Sequence, residues 1–175
     1  VMTELLRRHW IAWLALIVVV GLGMVVRLID LNDPPLDFHP VRQLRSANIA
    51  RALYFSQDVR TDPVLRQQAV AVQPVDVHEP PINEQLAALA YMVIGGEAVW
   101  VGSVLSILYW MIGGLALFAI GRRFAPFWAV LVGLLFYLAL PFGVIASRAF
   151  MPDPGMVMWI LLAAWATLRW SEKPT

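Results

Sequence analysis

The sequence predicts an all-α integral membrane protein with four transmembrane helices. Both termini are expected in the cytoplasm, and a large outer loop of short amphipathic helices joins the first two spans. Three observations carry this reading. Of 175 residues, 60% are hydrophobic and 14% charged, against roughly half and a quarter in a soluble domain, and the mean hydropathy is +0.69. Four apolar runs approach the ~20 helical residues that a bilayer core of about 30 Å requires. The arginines flanking those runs then sort to one side of the membrane.

The first run, Trp10–Val26, has no charge and extends to Leu31, giving a span over 9–31. Arg7 and Arg8 ahead of it also describe a signal peptide. No small-residue cleavage pattern follows, however; Arg27, Leu28, Ile29 and Asp30 come next, so a retained signal anchor is the better reading. Further spans are expected over 98–121, 124–147 and 154–170. In the last and shortest, Arg169 snorkels and Trp170 lies among the headgroups. Leu86–Gly96 is uncharged but too short to cross. With four spans, Arg7/Arg8, Arg122/Arg123 and Arg169/Lys173 all face the cytoplasm, whereas a fifth crossing at 86–96 would put Arg122 and Arg123 outside. Residues 1–175 thus read as a single membrane domain, multi-pass in a bacterial plasma membrane, with 32–97 and the connection 147–154 on the outer face.

The outer loop has its own helical signals. Residues 41–55 lack Gly and Pro and are rich in Leu, Ala and Arg. Pro40 suits a first helical position, and it holds His39 out of the helix. A second short helix is expected to start at Thr61 or Asp62, before Pro63. After "HEPP", Ile82–Ile94 reads as an amphipathic helix lying along or dipping into the outer leaflet. Gly102 with Ser106, and Gly113 with Gly114, read as small-residue packing surfaces.

Composition excludes several functions. A net charge of +1 argues against a nucleic-acid partner. The absence of cysteine excludes thiolate metal sites, iron–sulfur clusters and disulfides. No charge lies deep within the last three spans, which argues against an ion-coupled transporter.

Chemistry concentrates at the outer surface. Asp30, Asp33 and Asp37 follow the first span, His78 and Glu79 precede the amphipathic helix, and Arg148 and Asp153 bracket the last turn. If the helices bundle, the three groups converge on one cleft. Sugar transfer from a polyprenyl phosphate needs a carboxylate to accept the acceptor's proton, a cation for the departing phosphate and an apolar groove for the lipid. Asp37, Arg148 and the 82–94 segment can supply these. Each residue also has a plainer role. Asp37 can favour a helix N-terminus by about 0.3–1 kcal/mol, Asp153 can cap a turn, and Arg148 and Arg42 can face headgroups or water. No pair shows recognisable metal-ligand spacing. Residue types and spacing leave both readings open.

The order of the features is more specific. "LDFHPVRQLRSANIARALY" after a first span, "HEPPINEQLAALAYMVIGGE", a second span ending "GRRF" and a third ending "SRAFMPDPGM" together resemble the N-terminal part of the C-type, lipid-dependent glycosyltransferases. That superfamily includes protein O-mannosyltransferases and lipid A aminoarabinose transferases, and the resemblance runs from about Trp10 to Trp170. It implies inverting transfer from a polyprenyl-phosphate sugar to an acceptor on the non-cytoplasmic side, among membrane lipids, with a divalent cation in some members. It matches Asp37 to the catalytic base and Asp153 to the acid opening the last helix, both as catalytic residues. His39, Arg42, His78, Glu79 and Arg148 become the substrate-binding candidates. Two departures stand out. Several members carry two adjacent acids where Asp37 is followed by Phe38, and the family usually has eight or more spans. The chain is therefore expected to be a fragment or reduced form; the alternative is a non-catalytic accessory subunit packed against other membrane subunits.

Overall fold

The computed structural model describes residues 2–57, 62–71 and 79–172. Among these it contains eight helices and no strand. They are α1 (Met2–Leu28), α2 (Pro40–Gln57), α3 (Pro63–Ala71), α4 (Ile82–Ile94), α5 (Trp100–Gly121), α6 (Phe127–Ala139), α7 (Pro141–Ala146) and α8 (Pro152–Ser171). Two are long and apolar enough to cross a membrane: the Trp10–Leu28 part of α1, and α5. Helices α1, α6 and α8 point apolar side chains outward. Trp13, Ile17, Val132, Phe136 and Trp159 are all more than 60% exposed, an arrangement suited to lipid rather than water.

The outer-loop helices start where the local chemistry directs. Pro40 opens α2, and the His39 carbonyl accepts the first backbone bonds, from Arg42 at 3.0 Å and Gln43 at 3.2 Å. Asp62 caps α3 through its carboxylate, which accepts the Val64 N–H at 2.8 Å. Helix α4 occupies Ile82–Ile94 as expected and ends at Gly95, whose φ of +86° provides the left-handed C-terminal turn. Helices α2 and α4 share one core, built on Ala50, Tyr54, Ala87, Ala88 and Tyr91, and Val101 and Phe150 close it from α5 and the 147–151 connection.

The third apolar run differs from a single span over 124–147. It is divided into α6 and α7 at Leu140, which takes an extended ψ of 125°. Pro141 is the cause: its ring drives the preceding residue out of helical geometry, and it brings no N–H to continue the ladder. A 13-residue α6 spans about 20 Å at 1.5 Å per residue, less than a bilayer core. The break also leaves carbonyls at the end of α6 without helical partners.

Arg27 meets that need. It is fully buried in α1. Its Nη1 donates to the Leu138 carbonyl at 2.9 Å and to the Gly23 carbonyl, one turn back, at 2.8 Å. Its Nε donates to Ser147 Oγ at 2.7 Å, and Ser147 Oγ donates in turn to the Val144 carbonyl at 2.9 Å. One guanidinium thus ties α1 to both sides of the α6–α7 break. A second core lies around this contact, formed by Leu16, Ile107, Met111, Leu131, Leu134 and Leu138. Helices α5 and α8 pack along each other, and at the far end Arg123 pairs with Glu172 at 2.6 Å.

Two expectations follow. Arg27→Met removes three hydrogen bonds and leaves buried acceptors unpaired, at about 1–3 kcal/mol for each such group. The expected result is a clear drop in the thermal midpoint of the detergent-solubilised protein, and an unchanged midpoint would contradict the role given to Arg27. The second concerns Tyr91 in α4. Burial, aided by the nearby Glu97 carboxylate, pushes its phenol up from 10.0 to about 12. The folded state then holds this proton more tightly than the unfolded chain, so the contribution is complete below pH 10 and is lost as pH rises towards 12. Tyr91→Phe should flatten that alkaline loss, as read by melting curves across the interval.

Candidate functional site

The site lies where α1, α6 and α7 end and α2, α5 and α8 begin. Its centre is the connection 147–153, whose successive residues are held from four helices. Ser147 binds Arg27 of α1. Arg148 Nη2 donates to the Asp30 carbonyl, just past α1, at 3.0 Å. The Ala149 carbonyl accepts from Ser106 Oγ of α5 at 2.8 Å, and the Phe150 N–H donates to Gln43 Oε1 of α2 at 3.0 Å. The Met151 carbonyl accepts from Asn83 Nδ2 of α4 at 3.5 Å. Asp153 meets Arg42 of α2, with Oδ2 to Nη1 at 3.2 Å.

Small residues on α5 make this approach possible. Gly102 faces the Phe150 ring so closely that a Cβ there would overlap it, and Ser106, one turn later, reaches the Ala149 carbonyl. Gly113 and Gly114 serve differently, by admitting the Tyr137 ring, which stacks on Trp110 at 4.8 Å. The small-residue surfaces expected from the sequence are therefore real packing surfaces, and the first of them shapes the site.

Asp30 and His39, at the two ends of the loop between α1 and α2, have positive φ values of +52° and +48°. Aspartate enters this left-handed region with little strain, and histidine is also among the side chains enriched there. At His39 the following proline disfavours the helical alternative, and the carbonyl must already face the α2 N-terminus. Between them, Asp37 Oδ1 accepts from Gln43 Nε2 at 3.5 Å, and the same nitrogen makes a short bond to the Phe38 carbonyl.

The candidate residues divide between neighbouring cavities rather than sharing one cleft. A cavity of about 530 Å³ is lined by Asp30, Asp33, Asp37, Gln43, Ser103 and Arg148, and is the more polar. A cavity of about 310 Å³ is walled by Phe38, Trp110, Phe142, Met151, Met156 and Val157, with His39, Arg42 and Asp153 at its polar end. The Asp37–Phe38–His39 stretch is the wall between them. It is stiffened by edge-on contacts of the Phe38 ring with His39 at 4.5 Å and with Phe142 at 5.6 Å. Arg42 also faces a third, small cavity of about 110 Å³, beside Arg45, Ser46, Glu79 and Glu84. There it meets Glu79 at 3.7 Å.

Arg42 is thus shared between Glu79 and Asp153, which the sequence listed in separate groups. All three side chains are at least 40% exposed, and pairs so open to solvent contribute ~0.2–1 kcal/mol. Such a guanidinium can exchange its carboxylate partners for another anion at low cost. His78 lies outside the described residues. Among the described residues no group of three or more His, Asp or Glu side chains is arranged to hold a metal ion. The steps below use none. The residue that the sequence offered no sign of is Gln43, which looks like a surface amide between Arg42 and Leu44 yet is 1% exposed.

Residues 78–175, more than half of the chain, match the family described as dolichyl-phosphate-mannose-protein mannosyltransferase. The chain belongs to that family. No curated protein and no solved structure matches it. Membership agrees with the resemblance drawn from "HEPP", "GRRF" and "SRAFMPDPGM", and makes the chain a mannosyltransferase-like membrane glycosyltransferase for which a lipid-linked sugar donor is implied. Within this mannosyltransferase family match fall Glu79, Arg148 and Asp153, together with α4, α5 and the whole 147–153 connection; Asp37, His39 and Arg42 precede it.

Gly102→Ala tests the packing that carries the connection. The added methyl meets the Phe150 ring, and overpacking of this kind costs about 1–3 kcal/mol. Because Phe150 is bonded to Gln43, the damage should extend to the site, and transferase activity should fall along with the thermal midpoint. Full activity in a destabilised variant would show that the connection is not coupled to the site.

Proposed function

We propose that the protein transfers a sugar, by inversion, from a polyprenyl-phosphate donor to a hydroxyl acceptor on the non-cytoplasmic face of the membrane. The observation that carries this reading is the pairing of the two cavities. An apolar cavity has a guanidinium and a carboxylate in its lining, and a polar cavity holding Asp37 lies on the other side of the 37–39 stretch.

In this reading the lipid tail runs along Phe142, Met156 and Val157, and the phosphate meets Arg42. A planar guanidinium matches phosphate oxygens bidentately and is more weakly hydrated than an ammonium, so it suits a partly apolar mouth. The acceptor enters the polar cavity beside Ser103 and Arg148. The Asp37 carboxylate takes the hydroxyl proton while the oxygen attacks the anomeric carbon. The bond from that carbon to the phosphate oxygen breaks, the charge passes to the phosphate, and Arg42 stabilises it. One displacement inverts the anomeric centre. Asp153 holds Arg42 until the donor arrives and then orients it.

The four-span topology belongs to the same proposal. Arg122, Arg123 and Arg169 lie at the opposite end of α5 and α8 from the site, and the positive-inside rule assigns that end to the cytoplasm. Helix α8, at 20 residues, is about 30 Å long, and α6 with α7 together complete the third crossing.

Purified protein in vesicles, supplied with polyprenyl-phosphate mannose and a hydroxyl acceptor, provides the test. Asp37→Asn should lower kcat by roughly 10²–10⁴-fold, the usual contribution of a positioned base. Arg42→Gln should raise KM for the donor as well as lower kcat, and Asp153→Asn should act in the same direction more weakly. Undiminished turnover in Asp37→Asn would remove that residue from the chemistry.

A further inference from the structure

We infer that Gln43 is a positioning residue: its buried amide clamps the Asp37–Phe38 backbone to the 147–153 connection, fixing the base relative to Arg148 and Asp153. The inference rests on the reading of Asp37 as the base.

Three observations carry it. The Gln43 side chain is almost wholly buried, although it lies on a short helix at the mouth of the bundle between Arg42 and Leu44. Its donor and acceptor ends face different segments. Nε2 donates to the Phe38 carbonyl and reaches Asp37 Oδ1 at 3.5 Å, while Oε1 accepts the Phe150 N–H at 3.0 Å. An amide offers a donor and an acceptor on one planar group, whereas neither a hydrocarbon nor a carboxylate of the same length can make both connections. The third observation is where the clamp acts. Phe38 directly precedes His39, whose positive φ turns the chain into α2. Without the amide, that corner keeps the ring contacts of Phe38 and the backbone bonds to the His39 carbonyl but loses its tie to the connection, and Asp37 can swing on it. Displacing a reacting group by an ångström costs about 100-fold in rate.

Two variants and two readouts test the clamp in the full-length chain. Gln43→Glu keeps the acceptor for Phe150 and loses the donor, whereas Gln43→Met loses both. Both should lower kcat about 100-fold, with KM for polyprenyl-phosphate mannose changed far less, because Arg42, the phosphate contact, is held by Asp153 and Glu79 and not by the Gln43 amide. The second readout needs no turnover. A water-soluble carbodiimide labels accessible carboxylates, and at fixed pH Asp37 should label several-fold faster in both variants while Asp33 labels as before. Unchanged kcat and unchanged Asp37 labelling would overturn the clamp. So would a lower melting temperature with unchanged labelling, which would make Gln43 a packing residue. If Asp37 labelling responds but Asp37→Asn stays active, the clamp stands and the assignment of the base fails.

Discussion

A helix that breaks inside an apolar bundle must find partners for the carbonyls it frees, and here one arginine does so. Water is not at hand, and an unsatisfied carbonyl in such surroundings costs several kcal/mol. Arg27 takes the Leu138 carbonyl from the end of α6 and the Ser147 hydroxyl from beyond α7. Pro141 and Arg27 therefore form a pair across the bundle: the proline opens the ladder, and the guanidinium closes it from another helix. Without the break, α6 would run straight on, and the 147–153 connection could not turn back across the mouth of the bundle.

That turn gives the site its form. Residues 147–151 form no regular element, and groups along them are held instead by α1, α5, α2 and α4 in succession. The helices are apolar where they face outward and small where the connection crosses them, as at Gly102. Charged side chains then gather at the mouth because the apolar interior excludes them. Their pairing around Arg42 is loose and exposed, in contrast to the dry guanidinium of Arg27, which three hydrogen bonds hold through Nε and Nη1. The two arginines illustrate the same group in two roles: one neutral acceptors hold fast, the other carboxylates hold lightly.

Much of this was legible in the sequence because it depends on local chemistry. Pro40, Pro63 and the "HEPP" run place the starts of α2, α3 and α4, and proline restricts its neighbours whatever the tertiary context. The small residues of α5 were legible as packing surfaces for the same reason. Pro141 carried its own signal inside the third run, but an unbroken stretch of apolar residues outweighed it. Arg27 read as the fringe of the first span, since its partners lie more than a hundred residues away and exist only because of the break. Gln43 offered still less, because amphipathic spacing cannot distinguish an exposed amide from one that spans two segments. The division of the candidate acids between two cavities was likewise beyond reach: proximity at one end of a bundle does not say on which side of a three-residue wall a side chain falls.

The connection also bears on how the mouth of the bundle can move. A loop tethered at one point flaps, whereas one whose successive residues are gripped by four different helices opens only when several of those grips fail together. Motions around the site therefore belong to the helices as bodies, with the connection carried along. The amides of 147–151, irregular though their backbone is, share the protection of the core rather than that of a surface loop. Slow, collective rearrangement is then the natural timescale for admitting a lipid-linked substrate.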